Sequence, residues 1–277
     1  MIEKSCQFGQ QNRLHGILTQ PGINKEKRAS IILVNAGFLS TPGPFRLYTL
    51  LARKMAEDGF STLRFDLGGI GNSEQIHPSL TLQERTNKDI ENAVDYLVNE
   101  QNSENIVLCG LCSGAEDSFR YASLDPRINA VVMIDPHCYQ TPGFHRRKYF
   151  GTFTVKKIIV KFMNLWDKLT QKNKKTDHEQ QQQSRSLIDY QYMDFSESSN
   201  ILSGLISRGT LLHYIYTGAM LPKFNHRKQL AEMFNGIDFA NKVTVDHIPN
   251  IEHTQILQED REYLMNAISS QITRWFK

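Results

Sequence analysis

The residues best able to do chemistry in this sequence gather around Cys112. It stands in Gly110-Leu111-Cys112-Ser113-Gly114, directly after the apolar run Ile106–Cys109 and before helix-like sequence. The spacing describes a strand that turns sharply into a helix with the cysteine at the apex. Glycines two positions before and two after let neighbouring backbone pass close to a strained turn. The N-terminus of the next helix favours a thiolate and offers N–H donors to an anion. A thiol placed this way is a nucleophile for acyl carbonyls. A late histidine, His253 in Asn250-Ile251-Glu252-His253-Thr254, follows the last apolar run and is the candidate general base.

Other readings of these residues are less favourable. A lone cysteine is often a buried core residue, but the apex of such a turn is a poor place for one. Ser113 lies one position past the apex, so its side chain should point elsewhere. Cys109 and Cys112 have redox-pair spacing, yet no thioredoxin-like helix start separates them. Zinc would need a second ligand pair. Gly68-Gly69-Ile70-Gly71 lacks the Lys-Ser/Thr of a phosphate loop and reads as a turn after Asp66. His247, on or beside a strand, and His137, after Asp135, are rivals of His253. With Cys138, His137 is placed to line a pocket.

The elements that must position these groups alternate. Strands are expected at Leu14–Thr19, Ser30–Asn35, Ser61–Phe65, Asn105–Cys109, Ala130–Ile134, Thr210–Thr217 and Lys242–His247. Helices are expected at Phe45–Glu57, Leu82–Asn99, Ala115–Ser123, Arg227–Phe234 and Glu259–Phe276. Several strands are apolar throughout, as strands buried on both faces should be. The pattern implies a mostly parallel sheet with helices on both faces. Residues 139–207 break the rhythm. A loop that long is improbable in a compact domain, so the stretch reads as a helical lid inserted into a core of residues 1–138 and 208–277. From Phe144 to Lys175 it carries ten Lys or Arg against one Asp. Ile158, Ile159, Phe162, Met163, Trp166 and Leu169 repeat there at helical spacing. A polar glutamine tract begins at Glu179.

The motifs Val34-Asn35-Ala36-Gly37, Arg46-Leu47-Tyr48, Leu51-Ala52-Arg53, Gly59-Phe60, Leu63–Leu67, Gly69-x-Gly71-Asn72-Ser73 and Gly110–Ala115 resemble the α/β-hydrolase superfamily. Within it they are similar to hydrolases associated with exosortase systems of bacterial exopolysaccharide loci. The elbow cysteine resembles that of dienelactone hydrolases. The resemblance implies an α/β-hydrolase fold, a catalytic Cys112 and ester or thioester chemistry. It also implies an oxyanion hole from the N–H groups of Phe38 and Ser113, with His253 as base. The superfamily's acid usually follows the seventh strand, but Tyr216–Pro222 contains no carboxylate. An alternative place is the end of the sixth strand, where Asp135 stands. It is the candidate acid, the competing reading being an Asp-Pro turn.

Three functions fit: a cysteine hydrolase, an acyltransferase passing the acyl group to an alcohol or amine, or a non-catalytic binding protein using the same fold. The expected partner is a small-molecule or lipid acyl substrate, free or carrier-bound. No metal or cofactor is called for. The chain of 277 residues is 40% hydrophobic and 22% charged, with net charge +3. It can bury a core, and nothing global suggests nucleic acid. Four cysteines are too few for a disulfide framework. No run approaches the ~20 apolar residues of a membrane span. MIEKSCQFGQ lacks a signal-peptide core, so the expected location is the cytoplasm. The basic lid reads first as an ordinary cap helix with solvated lysines. It would also suit peripheral contact with anionic lipid or an anionic acyl carrier.

Overall fold

The computed structural model describes residues 1–22, 28–75, 77–150 and 192–277. Eight strands form one sheet: β1 Ile2–Phe8, β2 Leu14–Gln20, β3 Ser30–Val34, β4 Ser61–Phe65, β5 Ile106–Leu111, β6 Ile128–Ile134, β7 Leu211–Thr217 and β8 Val243–Ile248. Their order is β1-β2-β4-β3-β5-β6-β7-β8. β1 pairs antiparallel with β2, and β2 with β4; every other pair is parallel. This is the α/β-hydrolase fold.

Alternation along β3 shows why the sheet is covered twice. Ile31 and Leu33 face a core with Leu47, Leu51 and Met55 of helix α1 (Leu47–Glu57) and Leu264 and Ile268 of the C-terminal helix Gln258–Trp275. Ile32 and Val34 face the opposite core. That core holds Ile90 and Val94 of α2 (Leu82–Asp95) and Phe119 of α3 (Ser113–Leu124). β3, β4 and β5 are buried at every residue, which accounts for the unbroken apolar or small sequences of β3 and β5; β4 breaks the run with Arg64.

β1 was not expected from the sequence. Three of its first five residues are polar or charged, and its burial is confined to its end. As an edge strand it needs only one partner and tolerates polarity. Its Glu3 pairs with Arg53 at 2.8 Å and with Nη2 of the buried Arg64 at 3.0 Å, while Arg64 Nη1 donates to Thr49 Oγ1 at 3.0 Å.

Two further helices lie within the stretch read as a lid. They are α4 (Pro142–Phe150) and α5 (Phe195–Arg208). α5 is capped by Asp194, ends at Gly209 and leads into β7. It lies against α3, where Glu197 pairs with Arg120. Arg147 of α4 meets Glu232 of α6 (Gln229–Met233) in a two-pronged pair at 2.6 and 2.9 Å. Part of the basic run is therefore engaged inside the protein. The apolar and lysine-rich run from 151 and the glutamine tract lie outside the described residues. The last helix, Gln258–Trp275, is α7.

Candidate active site

The turn that carries Cys112 is built from steric necessity. Cys112 has φ +55° and ψ −118°, between β5 and α3. Its N–H donates to Ile134 O at 2.8 Å. A Cβ on Gly110 would lie 2.1 Å from Gly114 O, and one on Gly114 only 2.5 Å from Asn35 O. Both positions therefore require glycine. Beneath the turn, the fully buried Tyr48 donates its hydroxyl to Val34 O at 2.9 Å and accepts the Leu111 N–H at 3.1 Å. It ties the ends of β3 and β5 together.

Strand ends bring the other groups in. Asp135 follows β6 and Thr217 ends the neighbouring β7. Asp135 has φ +50°, and its N–H donates to Ile215 O. Its side chain is fully buried. Thr217 donates its N–H to Asp135 Oδ1 and its hydroxyl to Oδ2, both at 2.6 Å. His253, on the loop after β8, places Nδ1 2.7 Å from Asp135 Oδ2. That loop is pinned to β7 by the Gly218 N–H on Ile251 O at 2.7 Å. The hydrogen bond to Asp135 and a second one with Cys112 raise the His253 imidazolium to about 10, against partial burial. Cys112, His253 and Asp135, separately singled out in the sequence, thus meet at the C-terminal ends of β5, β6 and β8.

The loop after β3 approaches the same point. Asn35 Nδ2 donates to Leu39 O at 2.5 Å, and Asn35 Oδ1 accepts the Leu67 N–H at 3.2 Å. The Gly37 N–H donates to Ser113 Oγ at 2.7 Å. The Ser113 hydroxyl is turned to the loop after β3 and fastens it to the start of α3. Phe38 is exposed beside it. A groove of about 1100 Å³ opens here, lined by Phe38, Ser113, Leu67, Ile70, Arg85 and Tyr192 among others.

The sequence model of the family described as Hydrolase_4, "Serine aminopeptidase, S33", matches residues 26–220. This chain belongs to that family. It is an α/β-hydrolase enzyme, with Cys112 at the apex of the turn from β5 to α3. Solved structures agree on the fold. The α/β hydrolase GrgF of Penicillium sp. sh18 has a TM-score of 0.62 at 15% identity, covering 100% of this chain and 99% of that one. An esterase of Pyrococcus furiosus gives 0.59 at 16%, covering 100% and 92%. An α/β serine hydrolase without lid from Xanthomonas campestris gives 0.59 at 14%, covering 99% and 95%. A curated relative, the poly(3-hydroxyalkanoate) polymerase subunit PhaC of Thiocystis violacea, is 36% identical over 75 residues. That match spans 26% of this chain and 21% of the polymerase subunit. Among the described residues of the hydrolase, no helix is long and apolar enough to cross a membrane.

The remaining candidates fall into place around the site. Cys109 is buried, and burial pushes its thiol up to about 12; both it and Cys112 are free thiols. His247, half-buried on β8, faces Phe224 with its Nε2 buried and without a hydrogen-bond partner among the described residues. His137 lies against Tyr139 and Tyr192, and burial lowers its basicity. Glu116, one turn beyond Cys112, was not foreseen. It is buried, accepts the His137 N–H at 2.5 Å and leaves Oε2 unpartnered. Burial raises its carboxyl to about 7. It straps the nucleophile helix to the loop that carries Asp135. Only its place in the first turn of α3 hinted at this.

Proposed function

We propose that this chain hydrolyses an ester or thioester through an acyl-enzyme on Cys112. The observation that supports it best is a cysteine at a positive-φ apex whose hydrogen-bond partner His253 is itself held by buried Asp135. An imidazole kept protonated to about pH 10 suits a thiol better than a hydroxyl. A serine needs a neutral base to take its proton, whereas a thiolate is stabilised by an adjacent imidazolium.

The thiolate attacks the carbonyl carbon. The oxyanion accepts the N–H groups of Phe38 and Ser113, each worth about 3 kcal/mol in comparable sites. Collapse breaks the bond to the leaving alcohol or thiol, which departs with the proton of His253. Water then attacks the Cys112 thioester and gives a proton to His253. The acid leaves and the ion pair is restored. Asp135 keeps Nδ1 of His253 turned toward itself, so Nε2 serves the reaction. The motifs similar to exosortase-associated and dienelactone hydrolases agree with this chemistry. We read a small-molecule, lipid or carrier-bound acyl group as substrate, in the groove that Tyr192, Asp194 and Glu197 of the inserted stretch help to line.

The partial likeness to a subunit named as a poly(3-hydroxyalkanoate) polymerase favours one second reading. There an alcohol replaces water as acceptor, and the acyl group is transferred instead of released. Intact-protein mass spectrometry after incubation with esters, acyl thioesters and aminoacyl amides tests both. An added acyl mass on Cys112, absent from Cys112→Ala, is expected. Added glycerol would yield acylglycerol if transfer dominates. Full turnover by Cys112→Ala would overturn the proposal.

A further inference from the structure

We propose that Thr217 is the positioning residue of this site, and that its hydroxyl sets the aim of His253 through Asp135. The inference rests on Asp135 being the acid of the proposed mechanism. Thr217 ends β7, next to the stretch where the resemblance would lead one to expect the acid, and no carboxylate follows it as far as Pro222. In its place a single residue grips both oxygens of the carboxylate that ends β6. The N–H anchors Oδ1 at 2.6 Å, and the hydroxyl holds Oδ2 at 2.6 Å. Oδ2 is also the oxygen that meets His253 Nδ1 at 2.7 Å.

One donor on each oxygen fixes the plane of a carboxylate as well as its position. If only the N–H remained, Asp135 would pivot about Oδ1. Oδ2 would then carry His253 with it, because nothing else among the described residues donates to that oxygen. The carboxylate is fully buried, so water cannot take over the missing bond without opening the site. Thr217 is itself fully buried and does not border the groove described above, so it acts on the reaction only through Asp135. Its β-branched side chain has few rotamers, which suits it to holding one geometry.

The experiment uses the full chain and the ester or thioester it turns over fastest. Two isosteric or near-isosteric pairs separate the hydroxyl from packing. Thr217→Val replaces the hydroxyl by a methyl. Thr217→Ala and Thr217→Ser both lack the γ-methyl and differ only by the hydroxyl, so they decide the matter even if valine is not accommodated. Loss of one hydrogen bond to a charged group should lower kcat roughly ten- to a hundredfold in the valine and alanine variants, with KM within about twofold. Thr217→Ser should stay within about threefold of the parent. The far-downfield proton resonance of His253 Nδ1–H should persist in the parent and serine variant and broaden or move in the other two. Equal kcat for Ala and Ser, or a valine variant as fast as the parent, would overturn the inference. Asp135→Asn is the control. If it too is fully active, the assignment of the acid has failed instead.

Discussion

Nδ1 of His253 lies 2.7 Å from Oδ2 of Asp135, and this contact is the main reason the imidazolium is held to about 10. The value is raised above the ordinary 6.5. Stability supplied by the pair is therefore complete below about 6.5 and lost as pH rises through about 10. The imidazolium should persist up to the same limit. kcat/KM should hold at neutral pH and fall near pH 10. Asp135→Asn removes the principal cause and should bring that alkaline limb down toward neutrality. A pH–rate series on parent and variant checks the direction.

Gly114→Ala should unfold or strongly destabilise the chain. The new Cβ would sit 2.5 Å from Asn35 O and 2.6 Å from Val34 O, both backbone atoms that cannot swing aside. A loss of at least about 3 kcal/mol is expected in urea titration. An unchanged midpoint would mean that β3 and α3 are farther apart than described.

Ser113→Ala releases the Gly37 N–H and with it the loop that presents Phe38. One hydrogen bond is worth about 1 kcal/mol, so kcat/KM should fall roughly fivefold. The melting temperature should move little, because the bond lies at the exposed rim. Steady-state kinetics beside a thermal melt separates the two effects.

Glu116→Gln should stabilise the protein in alkaline buffer and leave it unchanged in acid. Burial raises the carboxyl from 4.5 to about 7, so its proton is bound more tightly in the fold and stability declines as pH climbs through that range. A neutral amide that still accepts the His137 N–H escapes this loss. The gain at pH 8 should approach about 3 kcal/mol. Denaturation at pH 5 and pH 8 gives the comparison.

The buried strands were legible because burial on both faces forces runs such as Ile31–Val34 and Val131–Ile134. Their ends shifted by a residue or two, as end residues are chosen by pairing and not by hydrophobicity. β1 left no apolar trace because an edge strand needs none. The sharp turn at Cys112 was readable from Gly110 and Gly114, since local backbone crowding dictates those types. His253 and Asp135 could be named as base and candidate acid, but their contact depends on three strand ends in space and is not written in local sequence. Thr217, Tyr48 and Glu116 escaped notice for the same reason. Nothing in a threonine, a tyrosine on an apolar helix face or a glutamate in a first helical turn says what it will touch.

The contacts that assemble the site span long stretches of chain. Gly37 and Ser113 are 76 residues apart, Asp135 and Thr217 82, and Asp135 and His253 118. Closing loops of that size is slow and comes late in folding. During refolding, the helical signal should return before any of these contacts exist. Enhanced alkylation of Cys112 should then lag behind it, making the thiol a clock for the last step of assembly. Any substitution that loosens the docking of β7 or β8 should show first in that lag.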